Sequence, residues 1–349
     1  MAVYTLLNKE QISAILMEYP LGSLSRFEPI ASGIENTNYF VWVDQGDSEE
    51  RVLVLTIFEN LSEDSLPFYN DLTRFLAQQG FLVPAPFCNQ RGVDVFKVND
   101  ATASAKMKFG VLVPKFSGVS LVKPDALACQ KIAQYVAKMH LALADYEAEQ
   151  EAEHTLDWCR RWVGELASCV TFEESSLLSL ALERYQGYAA LIESCPKTVV
   201  HGDLFRDNVL FDGGEITGII DFYHAGQTAS LFDLAVIAND WAVNFDQLPA
   251  TFAASTDQTT ISQQTPSVYD EEKLRLLVST YHAIKPLSDA EKSAWPKLLE
   301  LAAFRFWLSR LKTKYLAGYQ TEVKQGDVVK SPEAMQLILA SAMRRDPLS

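Results

Sequence analysis

The chain has little positive charge: lysine and arginine total 30 against 45 aspartates and glutamates, for a formal net charge of −15 over 349 residues. A nucleic-acid surface needs a basic stripe and docking on anionic lipid needs a basic cluster, so this composition argues against both partners. Paired cysteines are missing too. Cys88, Cys129, Cys159, Cys169 and Cys195 are scattered with no Cys-x-x-Cys spacing, which predicts reduced thiols in a cytosol. The five histidines are dispersed, which argues against zinc. Met1–Glu10 lacks the basic start and apolar core of a signal peptide, and no run is long enough to span a bilayer. The expected protein is soluble and cytoplasmic, and any anionic substrate must be held by local cations, backbone amides or a bound metal. There is no internal repeat, and nothing in the sequence sets the oligomeric state.

What is present is ample apolar material, 48% of residues, unevenly patterned. The first third is strand-like. Asn38–Val43 and Arg51–Phe58 are β-branched and aromatic around a polar turn, which predicts a hairpin. Leu66–Gln79 predicts a helix closed by Gly80, and Val93–Val98 and Phe109–Val113 predict two short strands. From Asp125, a plausible N-cap, the pattern turns helical: a long helix to about Ala144, then Leu156–Ala167 and Ser175–Ile192. Short strands follow at Thr198–Val200, Val209–Phe211 and Ile216–Ile220, and beyond Ala229 the chain reads as helix. The exception is Ala253–Ser267, rich in Ser, Thr and Gln, expected to be a flexible surface loop. The predicted layout is a small β-rich lobe over residues 1–116 and a larger helical lobe over 117–349. The link near 114–120 is the natural hinge, and ligand sites favour clefts between such lobes.

The most informative segment is His201-Gly-Asp-Leu-Phe-Arg-Asp-Asn208, a polar run between two apolar strands. It offers Asp203 and, five residues later, Asn208; the next strand ends in Ile219-Ile-Asp-Phe222, which presents Asp221. Phosphoryl transfer needs a carboxylate beside the attacking hydroxyl and oxygen ligands for magnesium on the nucleotide phosphates. Any one of these residues alone reads more naturally as a turn or cap. The joint order, His-x-Asp, Asn, then Asp-Phe, follows the kinase arrangement. His201 is placed to scaffold the loop. Asp233, in Leu231-Phe-Asp-Leu-Ala235, either accepts hydrogen bonds from that loop or simply caps a helix.

Upstream, Ala31–Asn38 contains Ser32, Gly33, Asn36 and Asn38, small and polar enough to cover phosphates through backbone amides, although such stretches are also ordinary hairpin turns. One kinase feature is absent. Where a lysine should hold the α and β phosphates, the strand Leu53–Phe58 carries Thr56. A neutral hydroxyl cannot make that charge-assisted contact. Lys115 and Arg206 are the candidate replacements.

His201–Phe211 resembles the catalytic loop of aminoglycoside phosphotransferase and choline kinase-like enzymes, and its Leu-Phe-Arg-Asp-Asn-Val-Leu-Phe form is similar to the homoserine kinases of that superfamily. Gly33–Phe40, Val54–Glu59, Leu66–Tyr69, Gly218–Tyr223, Asp233–Ala235, Asn239–Trp241, Tyr281-His282, Pro286-Leu287 and Phe304–Leu311 agree, so the likeness runs almost end to end. The resemblance implies an α+β, protein-kinase-like two-lobed fold with a small antiparallel sheet lobe and a larger helical lobe. It implies ATP and Mg2+ as cofactors and phosphorylation of the homoserine hydroxyl, a step toward threonine. Asp203 is then the catalytic base, and Asn208 and Asp221 the metal ligands. The same resemblance implies that a Thr in place of the lysine is usual in this subgroup.

A homoserine acceptor presents an ammonium and a carboxylate. Asp240 and Tyr223 are candidates for the first and Arg305 for the second. The plainer readings are a surface charge for Asp240, packing for Tyr223 and a structural ion pair for Arg305. Trp241, Phe304, Phe306 and Trp307, at helical spacing, read first as core. Two alternatives stay open: a kinase of another small hydroxylated acceptor, such as an aminoglycoside, choline or hydroxy amino acid, and a non-catalytic nucleotide-binding module. A peptide-directed kinase is disfavoured by the lack of an Ala-Pro-Glu segment.

Overall fold

In the computed structural model the described residues are 5–30, 36–46, 50–99, 107–148, 150–248, 267–316 and 331–345. Ser32, Gly33 and all but the last residue of the polar stretch 253–267 lie outside them. The chain divides into two compact units, Met1–Gly118 with Thr217–Asp221, and Val119–Ile216 with Phe222–Ser349.

The first unit holds α1 (Lys9–Met17), β1 (Ser23–Pro29), β2 (Asn36–Asp44), β3 (Arg51–Phe58), α2 (Leu66–Gln78), β4 (Val95–Asn99) and β5 (Met107–Pro114). The strands form one antiparallel sheet in the order β1-β2-β3-β5-β4. The predicted hairpin is β2–β3, with Asn38 opposite Thr56. Because side chains alternate along a strand, Tyr39, Val41 and Val43 share a face with Leu53, Leu55 and Ile57, and α1 covers that face with Ile12 and Leu16. Each such aliphatic side chain, fully buried, stabilises the unit by about 1.5–3 kcal/mol. Neither α1 nor β1 was expected from the sequence. The start of α1 is nonetheless marked, by the reciprocal capping box of Asn8 and Gln11.

The second unit begins with β6 (Val119–Ser120), then α3 (Ala126–Ala142), α4 (Leu156–Leu166), α5 (Phe172–Glu193), β7 (Lys197–Val200) and β8 (Val209–Asp212). The strand β9 (Glu215–Ile219) runs from this unit into the first. After it come β10 (Gly226–Ala229), α6 (Leu231–Trp241), α7 (Glu271–Ile284), α8 (Asp289–Leu316) and α9 (Pro332–Ala342). Asp125 caps α3 as expected, accepting from the Ala128 N–H at 2.8 Å. Helix α5 starts three residues ahead of the expected Ser175, because Thr171 and Glu174 form a capping box.

Every residue of α6 is buried, including Asp233, Asn239 and Asp240. The surface-charge reading of Asp240 is therefore wrong: α6 is packed along its whole length, with α7 and α8 among its neighbours. Trp241, Phe304, Phe306 and Trp307 are core residues. Among the described residues, no helix is long and apolar enough to cross a membrane.

Candidate active site

Strand β7 pairs antiparallel with β10, Val200 against Gly226, and the segment leaving β7 is the polar run His201–Asn208. Its first turn is set by Gly202, at φ +81. A Cβ there would also sit 2.4 Å from the His224 carbonyl oxygen, so both backbone angle and space require glycine. The turn is anchored from α6. The fully buried Asp233 carboxylate accepts the His201 N–H and the Gly202 N–H, each at 2.8 Å, and meets His140 Nε2 at 3.1 Å. His140 in turn contacts the Tyr281 hydroxyl at 2.8 Å. Burial works against the Asp233 charge, but the His140 bond, the nearby histidines and the Gly202 N–H together hold its carboxyl below its ordinary value. Asp233 thus serves the loop rather than capping its own helix. His201 is buried, lies 4.4 Å from the Phe222 ring, and its Nδ1 accepts the Asp203 N–H at 3.2 Å. That bond leaves the imidazole proton on Nε2.

The second half of the loop is a 3-10 turn, Arg206–Asn208. The Asn208 N–H donates to the Phe205 carbonyl at 3.0 Å. The Asn208 side-chain Nδ2 donates both to the Asp203 carbonyl oxygen at 2.8 Å and to Asp203 Oδ2 at 2.9 Å. Two residues expected to act together are therefore in direct contact. With its nitrogen turned to Asp203, the amide directs its oxygen, the donor a hard cation takes, away from that carboxylate. Phe205 is buried edge-on against Phe306 of α8, ring centroids 4.5 Å apart. Arg206 and Asp240 are both buried: the Arg206 N–H donates to Asp240 Oδ2 at 2.7 Å, and Arg206 Nη1 lies 3.4 Å from Asp240 Oδ1.

Asp221 ends the short piece of chain that clusters with the first unit. It is the one non-glycine residue with positive φ among those described, at 68°. Such a backbone costs on the order of 1–3 kcal/mol and persists at sites where it has a use. Tyr223 is half-buried. The Nδ1 of the next residue, His224, lies 3.3 Å from Arg305 Nη2 and 3.6 Å from Glu153 Oε2. Arg305 is 6% exposed while Glu153 is 56% exposed, and their charged atoms are 3.8 Å apart. His224 and Arg305 hold the Glu153 carboxyl down at about 2. Nothing in its linker marks Glu153 in the sequence.

In the first unit, Asn36, Asn38 and Phe40 are half-buried on the sheet face opposite the apolar core. The Thr56 hydroxyl, on the same face, donates to Asn38 Oδ1 at 2.7 Å. Lys115 is exposed at the end of β5, its Nζ 5.8 Å from the Phe40 ring centroid. Lys108 is engaged by Glu59 and Thr5 on the other face. Among the described residues, no group of three or more His, Cys, Asp and Glu is arranged to hold a metal.

The profile of the phosphotransferase enzyme family matches residues 26–275. The chain belongs to that family. Among its curated members, a homoserine kinase of Methylobacillus flagellatus is 36% identical over 93% of this chain and 92% of its own length. Another, of Cupriavidus pinatubonensis, is 35% identical over 90% and 89%. An amicoumacin kinase solved in complex with AMP-PNP, Ca2+ and Ami superposes with a TM-score of 0.67 at 15% identity, over 98% of this chain and 96% of that one. The fold is thus protein-kinase-like, with an antiparallel sheet region followed by a helical one.

Proposed function

We propose that this chain is an ATP:L-homoserine O-phosphotransferase that works with Mg2+. The observation that carries the reading is the pair of homoserine kinases matched at 36% and 35% identity across about nine-tenths of either partner. The loop chemistry supports it. Asp203 accepts the proton of the acceptor hydroxyl, and Asn208 Nδ2, bonded to Asp203 Oδ2, fixes the carboxylate for that task. The donor set fits a hard divalent ion: the Asn208 amide oxygen and the Asp221 carboxylate would hold it, with nucleotide oxygens and water completing the shell. Bound there, magnesium offsets the charge of the β and γ phosphates. Asn36, Asn38 and Thr56 hydrogen-bond the nucleotide phosphates, Lys115 supplies a cation, and the adenine lies along Val113–Phe116. Arg305 faces the acceptor carboxylate. Positioning and electrostatics then do most of the work of a loose transition state.

A screen of acceptors with ADP release as the readout tests this. Homoserine should exceed choline, an aminoglycoside, serine and threonine by about a hundredfold or more in kcat/KM. A better rate on another acceptor would refute homoserine as the substrate, and nucleotide binding with no turnover on any acceptor would favour a binding module.

A further inference from the structure

We propose that Asp240 is a positioning residue: through Arg206 it fixes the 3-10 turn that aims the Asn208 amide at the Asp203 carboxylate. This rests on the phosphoryl-transfer reading of the loop and not on the identity of the acceptor.

Sequence alone offered Asp240 as a partner for the acceptor's ammonium. In the structure it is 2% exposed, and both its oxygens lie toward Arg206. An ammonium would have to displace a buried guanidinium to reach it. What Asp240 does hold is the Arg206 N–H, at 2.7 Å. That donor opens the turn, where a 3-10 helix supplies no partner of its own. Two residues further on, Asn208 Nδ2 makes its paired bonds to Asp203. Tilting the turn would carry the Asn208 amide off the catalytic carboxylate and redirect the amide oxygen meant for the metal.

The placement on α6 explains why an acid stands here. Asp233 and Asp240 are seven residues apart, about two helical turns, and so lie on one face of the helix. The first carboxylate holds the His201 and Gly202 N–H groups, the second the Arg206 N–H. One rigid, buried helix therefore grips both ends of the loop. The Arg206 guanidinium, buried with Asp240, balances a charge that would otherwise be stranded in the core.

Two substitutions at Arg206 isolate the backbone bond. Arg206→Ala and Arg206→Pro both lose the guanidinium, but only proline loses the N–H. Phe205, at φ −70 and ψ 157, already has the extended conformation that precedes a proline, and a first helical position tolerates one. Relative to Arg206→Ala, Arg206→Pro should lose a further factor of about ten in kcat, with the acceptor KM held within about twofold. The gain in ATP affinity on adding Mg2+, measured by calorimetry without acceptor, should shrink several-fold in the proline variant alone. In parallel, Asp240→Asn, which keeps an acceptor oxygen for the N–H, should retain more kcat than Asp240→Ala. Equal kcat and equal Mg2+ response in the two Arg206 variants would overturn the proposal. So would an Asp240→Asn enzyme with intact kcat and an acceptor KM raised about tenfold, since that pattern belongs to substrate contact. All variants are assayed with the best acceptor found in the screen, so a wild type that prefers something other than homoserine refutes the substrate and leaves this test standing.

Discussion

The strand face that carries Asn38 and Thr56 and the loop that carries Asp203 and Asn208 are built by opposite means. On the strands the two facing polar groups are neutral and bonded to one another: the buried Thr56 hydroxyl donates to the half-buried Asn38 amide oxygen. In the loop, geometry is dictated by buried carboxylates reaching up from α6 to backbone N–H groups. Neutral groups are inexpensive to substitute because water or a neighbour replaces each bond. A buried carboxylate is not, because removing it strands several donors in an apolar interior.

That contrast orders the expected effects. The largest belongs to Asp233→Ala, which leaves the His201 and Gly202 N–H groups and His140 facing a void and should destabilise the second unit by about 3–5 kcal/mol in urea unfolding. If the loss is no larger than for a surface alanine, the loop is not held as described. A pH series sharpens the point. The Asp233 carboxyl titrates below its ordinary value in the folded chain, so the stability it adds is present above the ordinary carboxylate range. It is lost as pH falls through the depressed folded pKa. Asp233→Asn should therefore show a flatter decline in the urea midpoint on acidification than the wild type, and an identical decline would contradict the assignment.

Next comes Asn208→Ala, expected to lower kcat by about a hundredfold with little change in unfolding midpoint, since it removes the donor that orients Asp203 and the amide oxygen proposed for the metal. Arg305→Ala should raise the homoserine KM by about tenfold and leave the ATP KM within about twofold. An unchanged homoserine KM would return Arg305 to a purely structural pair with Glu153 and His224. The smallest effect is expected at the neutral face, where Thr56→Ala should change the ATP KM by about two- to tenfold, the worth of one uncharged hydrogen bond. A larger loss there than at Asn208 would reverse the comparison.

The sequence exposed some of this architecture and hid the rest for physical reasons. The hairpin β2–β3 was legible because alternation and β-branching are local signals, and Asp203 and Asn208 stood out because one short polar run between two apolar strands carries both, where the structure puts them in contact. Helix α1 escaped notice although Asn8 and Gln11 spell its start, because nine residues give little periodicity to read. Asp240 was visible as an acid but not as a buried one; the only sequence hint was its spacing of seven from Asp233, which matters once both are known to lie on one helix. Glu153 was illegible, since an acidic linker in an acidic chain looks like solvent-facing charge until Arg305 and His224 are seen beside it.

On the proposed mechanism, the γ-phosphoryl group passes to the acceptor hydroxyl while the Asp203 carboxylate takes that hydroxyl's proton. The most direct measurement of this is transfer of labelled γ-phosphate to homoserine by Asp203→Asn, which keeps the side chain's size and removes its basicity. Transfer should fall by about 10²–10⁴-fold with ATP binding retained. Transfer at the wild-type rate would contradict the account.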